Sequence, residues 1–168
     1  PITMNPFKIQ RQELNVEKMD FLKNLVMLIW KGNAAVPTKI EELLIEQVIK
    51  EYYEAYFMGF KGYSKTQIDA LHKKFLIETA TEGKPTDTNE DVEDRIWKKI
   101  KEMEDRRKAL VVNELSFNSF FEYSTARLPY ICSENRITGI NLSAYNFSMS
   151  KFYRGGTYER TLNENIDS

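Results

Sequence analysis

The sequence predicts an all-α fold: a bundle-like arrangement of about five to six helices with little or no sheet. Apolar residues return at three- and four-residue steps through most of the chain. Helix-starting and helix-stopping residues bracket those stretches. The connections between them are mostly short, which favours a helical bundle. No internal repeat is present.

Each element has its own justification. Residues 1–14 are a lead-in, and Asn5-Pro6-Phe7 within it is a turn signal, because proline fixes its own φ and pushes the preceding residue out of the α region. A first helix is predicted from about Asn15 to Lys31, with Val16, Met19, Leu22, Val26 and Ile29 on one face and Gly32 as the stop. Thr38 and Glu41 form a capping-box pair after Pro37 and open a second helix, whose stripe Ile40, Leu44, Val48, Tyr52 and Ala55 runs to about Met58. Gly59 and Gly62 interrupt the pattern. A third helix follows from roughly Thr66 to Ala80, carrying Ile68, Leu71, Phe75 and Leu76.

Residues 80–91 (ATEGKPTDTNED) are expected to be a mobile loop, having almost no apolar side chain to offset the entropy of ordering. A fourth helix, about Asp91 to Val112, bears Val92, Ile96, Ile100, Met103 and Leu110, with Arg107 in the remaining slot. Acids open it and Arg106, Arg107 and Lys108 close it, as the helix dipole favours. A fifth helix starts after Ser116 and lines up Phe117, Phe120, Phe121, Ser124, Leu128 and Ile131. Pro129 is expected to kink or end it, since proline has no amide for the carbonyl of Thr125. Residues 137–153 fit either a helix or a strand, with helix preferred, and Gly155-Gly156 ends that stretch. The last residues, 154–168, are expected to be an extended tail. The whole chain is read as a single helical domain.

Composition narrows the possible functions. The 168 residues are 42% hydrophobic and 29% charged, with a net charge of −1. Nothing in that balance calls for nucleic acid or a membrane surface. The longest apolar run, Leu25 to Trp30, is far short of the roughly 20 residues of a membrane helix. One cysteine, Cys132, forms no internal disulfide and fits a reducing compartment.

Several apparent chemical motifs give way to structural readings. Gly59 to Thr66 (GFKGYSKT) nearly matches the phosphate-binding pattern G-x-x-x-x-G-K-[ST], but Ser64 stands where the second glycine is needed, and a long helix precedes it instead of a buried strand. A helix-to-helix turn capped by Ser64 or Thr66 is preferred. LVVNEL, Leu110 to Leu115, resembles a magnesium-holding strand but lacks its aspartate, and it is read as continuing the fourth helix's stripe. His72 is the only histidine. Asp69 is its one nearby partner in sequence, so it is read as a residue at the edge of the core and not as a ligand. With His72 and Cys132 on different helices, no nucleophile–base pair is credible. No catalytic, cofactor-binding or metal residue is assigned. Tyr52, Tyr53 and Tyr56 could serve the core or an interface, and core packing is preferred.

Two regions together resemble a known family. One is NPF at residues 5–7, followed by the helix ending in LVMLIW and the Thr38 helix with Tyr52 and Tyr53. The other is LSFNSFFEY, Leu115 to Tyr123, followed by KFYRGGTYERTLNENIDS with its aromatic, double glycine and polar stretch ending in Asn. In order and type these are similar to the TraG family of conjugative-transposon ATPases, the motors of type IV secretion. The resemblance implies a helical region lying between the ATP-binding loop and the magnesium strand of such a motor, inactive by itself. ATP and Mg would belong to the full-length protein. It implies as partners the rest of the motor domain, other secretion-channel or conjugation proteins, and further copies of the full-length chain. It places the protein in the cytoplasm, or at the inner membrane's periphery through a secretion complex. Both ends look cut, so the chain is expected to be a fragment, and Phe7 and the stretch after Gly156 are expected to lie near each other. Tyr153, Arg154, Gly155 and Gly156 are the candidate inter-subunit or hinge contacts. The glycines permit unusual backbone geometry, and Arg154 could grip a phosphate or carboxylate. An ordinary cap with a solvated arginine competes with that role. The alternative to the family reading is a free-standing helical interaction module without ATPase activity.

Overall fold

The computed structural model describes residues 3–33, 35–82 and 88–164. Among them are six α-helices and no strand: α1 (Val16–Lys31), α2 (Lys39–Phe57), α3 (Lys65–Glu82), α4 (Asn89–Ala109), α5 (Phe117–Glu134) and α6 (Leu142–Ser150). The chain divides into two compact units where one domain is expected from the sequence. The larger comprises residues 1–58 and 112–168, and the smaller residues 59–111.

In the larger unit, α1 begins where Asn15 Oδ1 accepts the amide of Lys18 at 2.8 Å, and it stops at Gly32, whose φ of 75° suits glycine. At the start of α2, Thr38 and Glu41 exchange side-chain-to-backbone hydrogen bonds, as the capping box predicts. Lys31 adds an ion pair to Glu41 at 2.8 Å. Burial raises the Glu41 carboxyl, but Lys31 and the Thr38 hydrogen bonds outweigh it and hold the group below its ordinary range.

α2 packs against α1 and α5, and α6 packs against α1 and α5. The inward faces differ in detail from the predicted stripes. On α1 the buried residues are Leu22, Val26, Met27 and Trp30, while Val16 is 78% exposed. On α2 they are Leu44, Ile45, Val48, Ile49, Tyr52 and Tyr53, while Ile40 points outward. Both Val16 and Ile40 are first-turn residues that satisfy the periodicity yet remain exposed.

Pro129 does not end α5, which runs on to Glu134. Arg127 and Glu134 straddle the proline and are tied together by two hydrogen bonds of 2.9 and 3.0 Å, and Arg127 Nε reaches Glu51 on α2 at 2.6 Å. Arg127 is only 2% exposed. Burial alone would lower its pKa, but the two carboxylates override that and raise it. The tail beyond α6 is not extended. Residues 151–163 form a succession of hydrogen-bonded turns and bends, with Leu162 buried.

In the smaller unit α3 packs on α4 around Phe75, Ile96, Ile100 and Met103, supported by Tyr63, Leu71 and Val92. Arg107 fills the core-facing slot predicted for it, its guanidinium 4.0 Å from the ring centre of Phe60. Ala80–Glu82 and Asn89–Asp91 are helical, so both ends of the expected 80–91 loop are absorbed into α3 and α4. Thr88 caps α4 by accepting the amide of Asp91 at 3.1 Å. The remainder of that loop, 83–87, lies outside the described residues, as does the 165–168 end of the expected tail. Helix α4 stops at Ala109, and Leu110 is extended, so LVVNEL leaves the helix instead of continuing it.

A candidate contact site at the 153–156 turn

The site grows from the first turns of α5. Ser116 caps that helix, accepting the amide of Ser119 at 3.1 Å. The preceding amide, that of Asn118, has no partner within the helix. Asn163 supplies one, its Oδ1 accepting at 2.8 Å. The Asn163 side-chain amide donates in turn to the carbonyls of Phe152 and Glu159, at 2.8 and 2.7 Å. One asparagine therefore ties two carbonyls of the turn segment together and fastens that segment to α5 at one point.

Asn118 returns the link: its Oδ1 accepts the backbone amide of Arg154 at 3.1 Å. One turn along α5, Glu122 accepts the Tyr153 hydroxyl at 2.6 Å, and Phe121 lies beside the Tyr153 ring with centroids 4.7 Å apart. The Glu122 hydrogen bond, more than burial, raises the Tyr153 hydroxyl above its ordinary pKa. The Arg154 guanidinium is 67% exposed, 3.9 Å from Glu122 and 5.7 Å from the Tyr153 ring centre.

The two glycines do different jobs. Gly155 has φ of 82°, a left-handed conformation that costs other residues about 1–2 kcal/mol. Gly156 is a close approach: a Cβ there would lie 2.6 Å from the Lys151 carbonyl oxygen and nearer still to that of Ser150. Amide bonds from Gly156 to Tyr153 and from Tyr158 to Lys151, both 2.7 Å, close the turn. The arrangement presents an aromatic ring and a guanidinium on a fixed backbone. Nothing in the sequence pairs Asn118, Glu122 or Asn163 with this turn; the only available signal is the i, i+4 spacing that puts Asn118 and Glu122 on one face of α5.

The stretches that carry the family resemblance meet in space. Phe7 is fully buried and stacks on Phe120 at 4.6 Å, with its edge contacts to Tyr52 and Phe117 at 6.1 Å. The Asn5 side-chain amide donates to the carbonyl of Leu115 at 3.0 Å, and Tyr53 donates to that of Phe7 at 2.8 Å. Tyr52 donates to the Ser116 carbonyl at 3.2 Å, and burial pushes its pKa up to about 12. Tyr52 and Tyr53 thus serve the core, whereas Tyr56 is 38% exposed. The Met4 amide bonds to the carbonyl of Thr161 at 2.9 Å, so the lead-in and the stretch after Gly156 lie side by side as expected.

Residues 1–77 match the family model of the TraG P-loop domain. The TraG match takes in Phe7, all of α1 and α2, and α3 as far as Ile77. It supports the family resemblance over that stretch, which is less than half of the chain. No curated protein and no solved structure matches the chain.

The TraG name raises the question of nucleotide, and Gly59 to Thr66 does not fit one. Ser64 caps α3, accepting the Gln67 amide at 3.2 Å while its own amide donates to Gln67 Oε1 at 2.8 Å. The Ser64 amide is engaged in that cap and the Tyr63 amide donates to Glu104 at 3.4 Å, and α2, not a strand, precedes the segment. His72 pairs with Glu93 at 2.7 Å and lies 5.1 Å from the Trp97 ring, joining α3 to α4. Among the described residues no group of three or more His, Cys, Asp or Glu could hold a metal ion. Cys132 is buried, which pushes its thiol pKa up. No described helix is long and apolar enough to cross a membrane.

Proposed function

We propose that this chain is a helical region of a conjugation-related P-loop ATPase that transmits the effect of ATP hydrolysis to neighbouring subunits or channel proteins and does not hydrolyse ATP itself. The TraG match over residues 1–77 carries this reading. The hydrogen bond between Met4 and Thr161 supports it mechanically. A helical unit whose first and last segments run side by side can be set into a larger domain without distorting either. In this reading Tyr153 and Arg154 form the outward contact, locked in place from α5, and Arg154 meets a carboxylate or phosphate of a neighbour. ATP and Mg would be bound elsewhere in the full-length protein.

Steady-state ATP turnover tests the proposal when measured for the 168-residue chain and for the product of the complete open reading frame. The expected result is no turnover by the first and Mg-dependent turnover by the second. Turnover by the 168-residue chain that disappears in Lys65→Ala would overturn it and restore the Gly59–Thr66 segment as a phosphate loop. A complete reading frame that encodes no phosphate loop would leave the free-standing interaction module as the answer.

A further inference from the structure

The two compact units are held together on different terms. In the smaller one, residues 59–111, the buried apolar side chains among the described residues are Phe75, Ile96, Ile100 and Met103. Helix α3 contributes one of these over its 18 residues, while Leu76 and Ile77 on the same helix and Trp97 on α4 are exposed. One turn after Met103 the core-facing slot holds Arg107 and not an apolar side chain. The bond that ties α3 to α4, from His72 to Glu93, is partly open to solvent. The Lys101–Asp105 and Lys108–Glu104 pairs run along α4 itself and contribute little. So small a core offsets little beyond the entropy of ordering two long helices.

The larger unit has no such shortage. Phe7, Leu22, Ile45, Tyr52, Phe120 and Tyr145 are all fully buried in it. It also holds the chain just beyond the insertion with bonds of its own. The Tyr52 hydroxyl donates to the Ser116 carbonyl, and Asn5 donates to that of Leu115, close after the chain re-enters this unit at Val112. No helix crosses either boundary. Helix α2 ends at Phe57 and Gly59 follows with φ of 71°, while α4 ends at Ala109 and an extended Leu110 follows. A continuous helix would make the two units unfold together. A left-handed glycine and an extended residue do not transmit that cooperativity.

We propose that the smaller unit is an order–disorder switch, in which α3 and α4 melt and re-form together while the larger unit stays native. Such a hairpin passes between its two states without disturbing the 153–156 turn, which is fastened from α5 in the larger unit. The proposal does not rest on the ATPase reading, because it uses only the separate cores and the backbone at the two boundaries.

The test is native-state hydrogen exchange of the isotope-labelled 168-residue chain, read by NMR in rising sub-denaturing urea. The amides of Phe75, Ile96 and Ile100 are expected to exchange through one shared opening. That opening should be populated roughly a hundredfold more than the one that exposes Val48, Tyr52 and Phe120. It should also depend less steeply on urea, because melting two helices exposes less surface than unfolding the chain. Ile100→Ala should speed exchange at Phe75 and Ile96 by about tenfold or more while leaving Val48, Tyr52 and Phe120 unchanged. If that variant unfolds the smaller unit outright, the resonances of α1, α2, α5 and α6 should keep their parent positions, and Ile100→Val then supplies the graded acceleration. Three results would defeat the proposal. They are a single opening with one urea slope for both sets of amides, loss of protection at Tyr52 and Phe120 in Ile100→Ala, and exchange at Phe75 that is unlinked to exchange at Ile96.

Discussion

Phe7 lies nearly face to face with Phe120, their ring centroids 4.6 Å apart and their planes 18° from parallel. A residue of the lead-in thereby becomes part of the core that α2 and α5 build, and the carbonyl of that same residue accepts the Tyr53 hydroxyl. Phe7→Ala should destabilise the chain by about 3–5 kcal/mol, the usual range for emptying a buried aromatic site. Phe7→Leu should cost clearly less. Chemical denaturation followed by tryptophan fluorescence measures both, and equal stability of Phe7→Ala and the parent would show that the lead-in is not part of the core.

Arg127 sits between Glu51 and Glu134 with almost no solvent access. Arg127→Met should cost about 3–5 kcal/mol, because it strands two carboxylates away from water. Replacing all three groups by apolar residues of similar volume should recover much of that loss. If the single and triple variants are equally unstable, the ion triad contributes packing and not charge compensation.

The turn at Gly155 and Gly156 separates conformational strain from crowding. Gly155→Ala should cost about 1–2 kcal/mol, since only its φ is unfavourable, and Gly155→Asn should cost less. Gly156→Ala should be the more damaging change, because its Cβ would run into backbone carbonyls that cannot swing aside. Hydrogen exchange at Gly156 and Tyr158 is the sensitive readout, and undiminished protection in Gly156→Ala would refute the close approach.

Glu41 makes part of the stability pH-dependent. Its folded pKa is depressed below the ordinary 4.5, so its contribution is present above that value and is lost as the pH falls through the folded one. Lys31→Met should flatten the acid limb of a stability–pH curve while leaving its neutral limb nearly parallel to the parent's. An unchanged acid limb would remove Lys31 as the cause.

Arg154 has its backbone fixed and its guanidinium exposed. Arg154→Ala should leave the melting temperature of the chain within about 1 °C, because solvated ion pairs contribute little. In the full-length protein the same change should reduce coupled transfer at least tenfold, and undiminished transfer would retire Arg154 as a contact.

Much of the helical pattern is legible in the residues. The cap at Asn15, the Thr38–Glu41 box, the stop at Gly32 and the Ser116 start are local chemistry, settled within four residues of backbone. The spacing also identified Arg107 as core-facing. The spacing misled at Val16 and Ile40, because periodicity places a residue on a face but not opposite a neighbour. At Pro129 the helix does not end, the Arg127–Glu134 pair spanning the proline. The candidate turn was visible only in part: Gly155 and Gly156 announce unusual backbone, whereas the anchoring residues Asn118, Glu122 and Asn163 are ordinary polar residues, the first two more than thirty positions away.

The sequence alone determined that the chain is helical, roughly where its helices begin and end, and which family two of its regions resemble. Those properties follow from hydrogen bonds and side-chain periods acting over a few residues. Only the tertiary structure decided that the chain divides into two compact units, that Phe7 completes a core built from α2 and α5, and that an asparagine after α6 holds the start of α5. These depend on contacts between residues 40 to 110 positions apart, and a linear pattern carries no record of which distant surfaces meet.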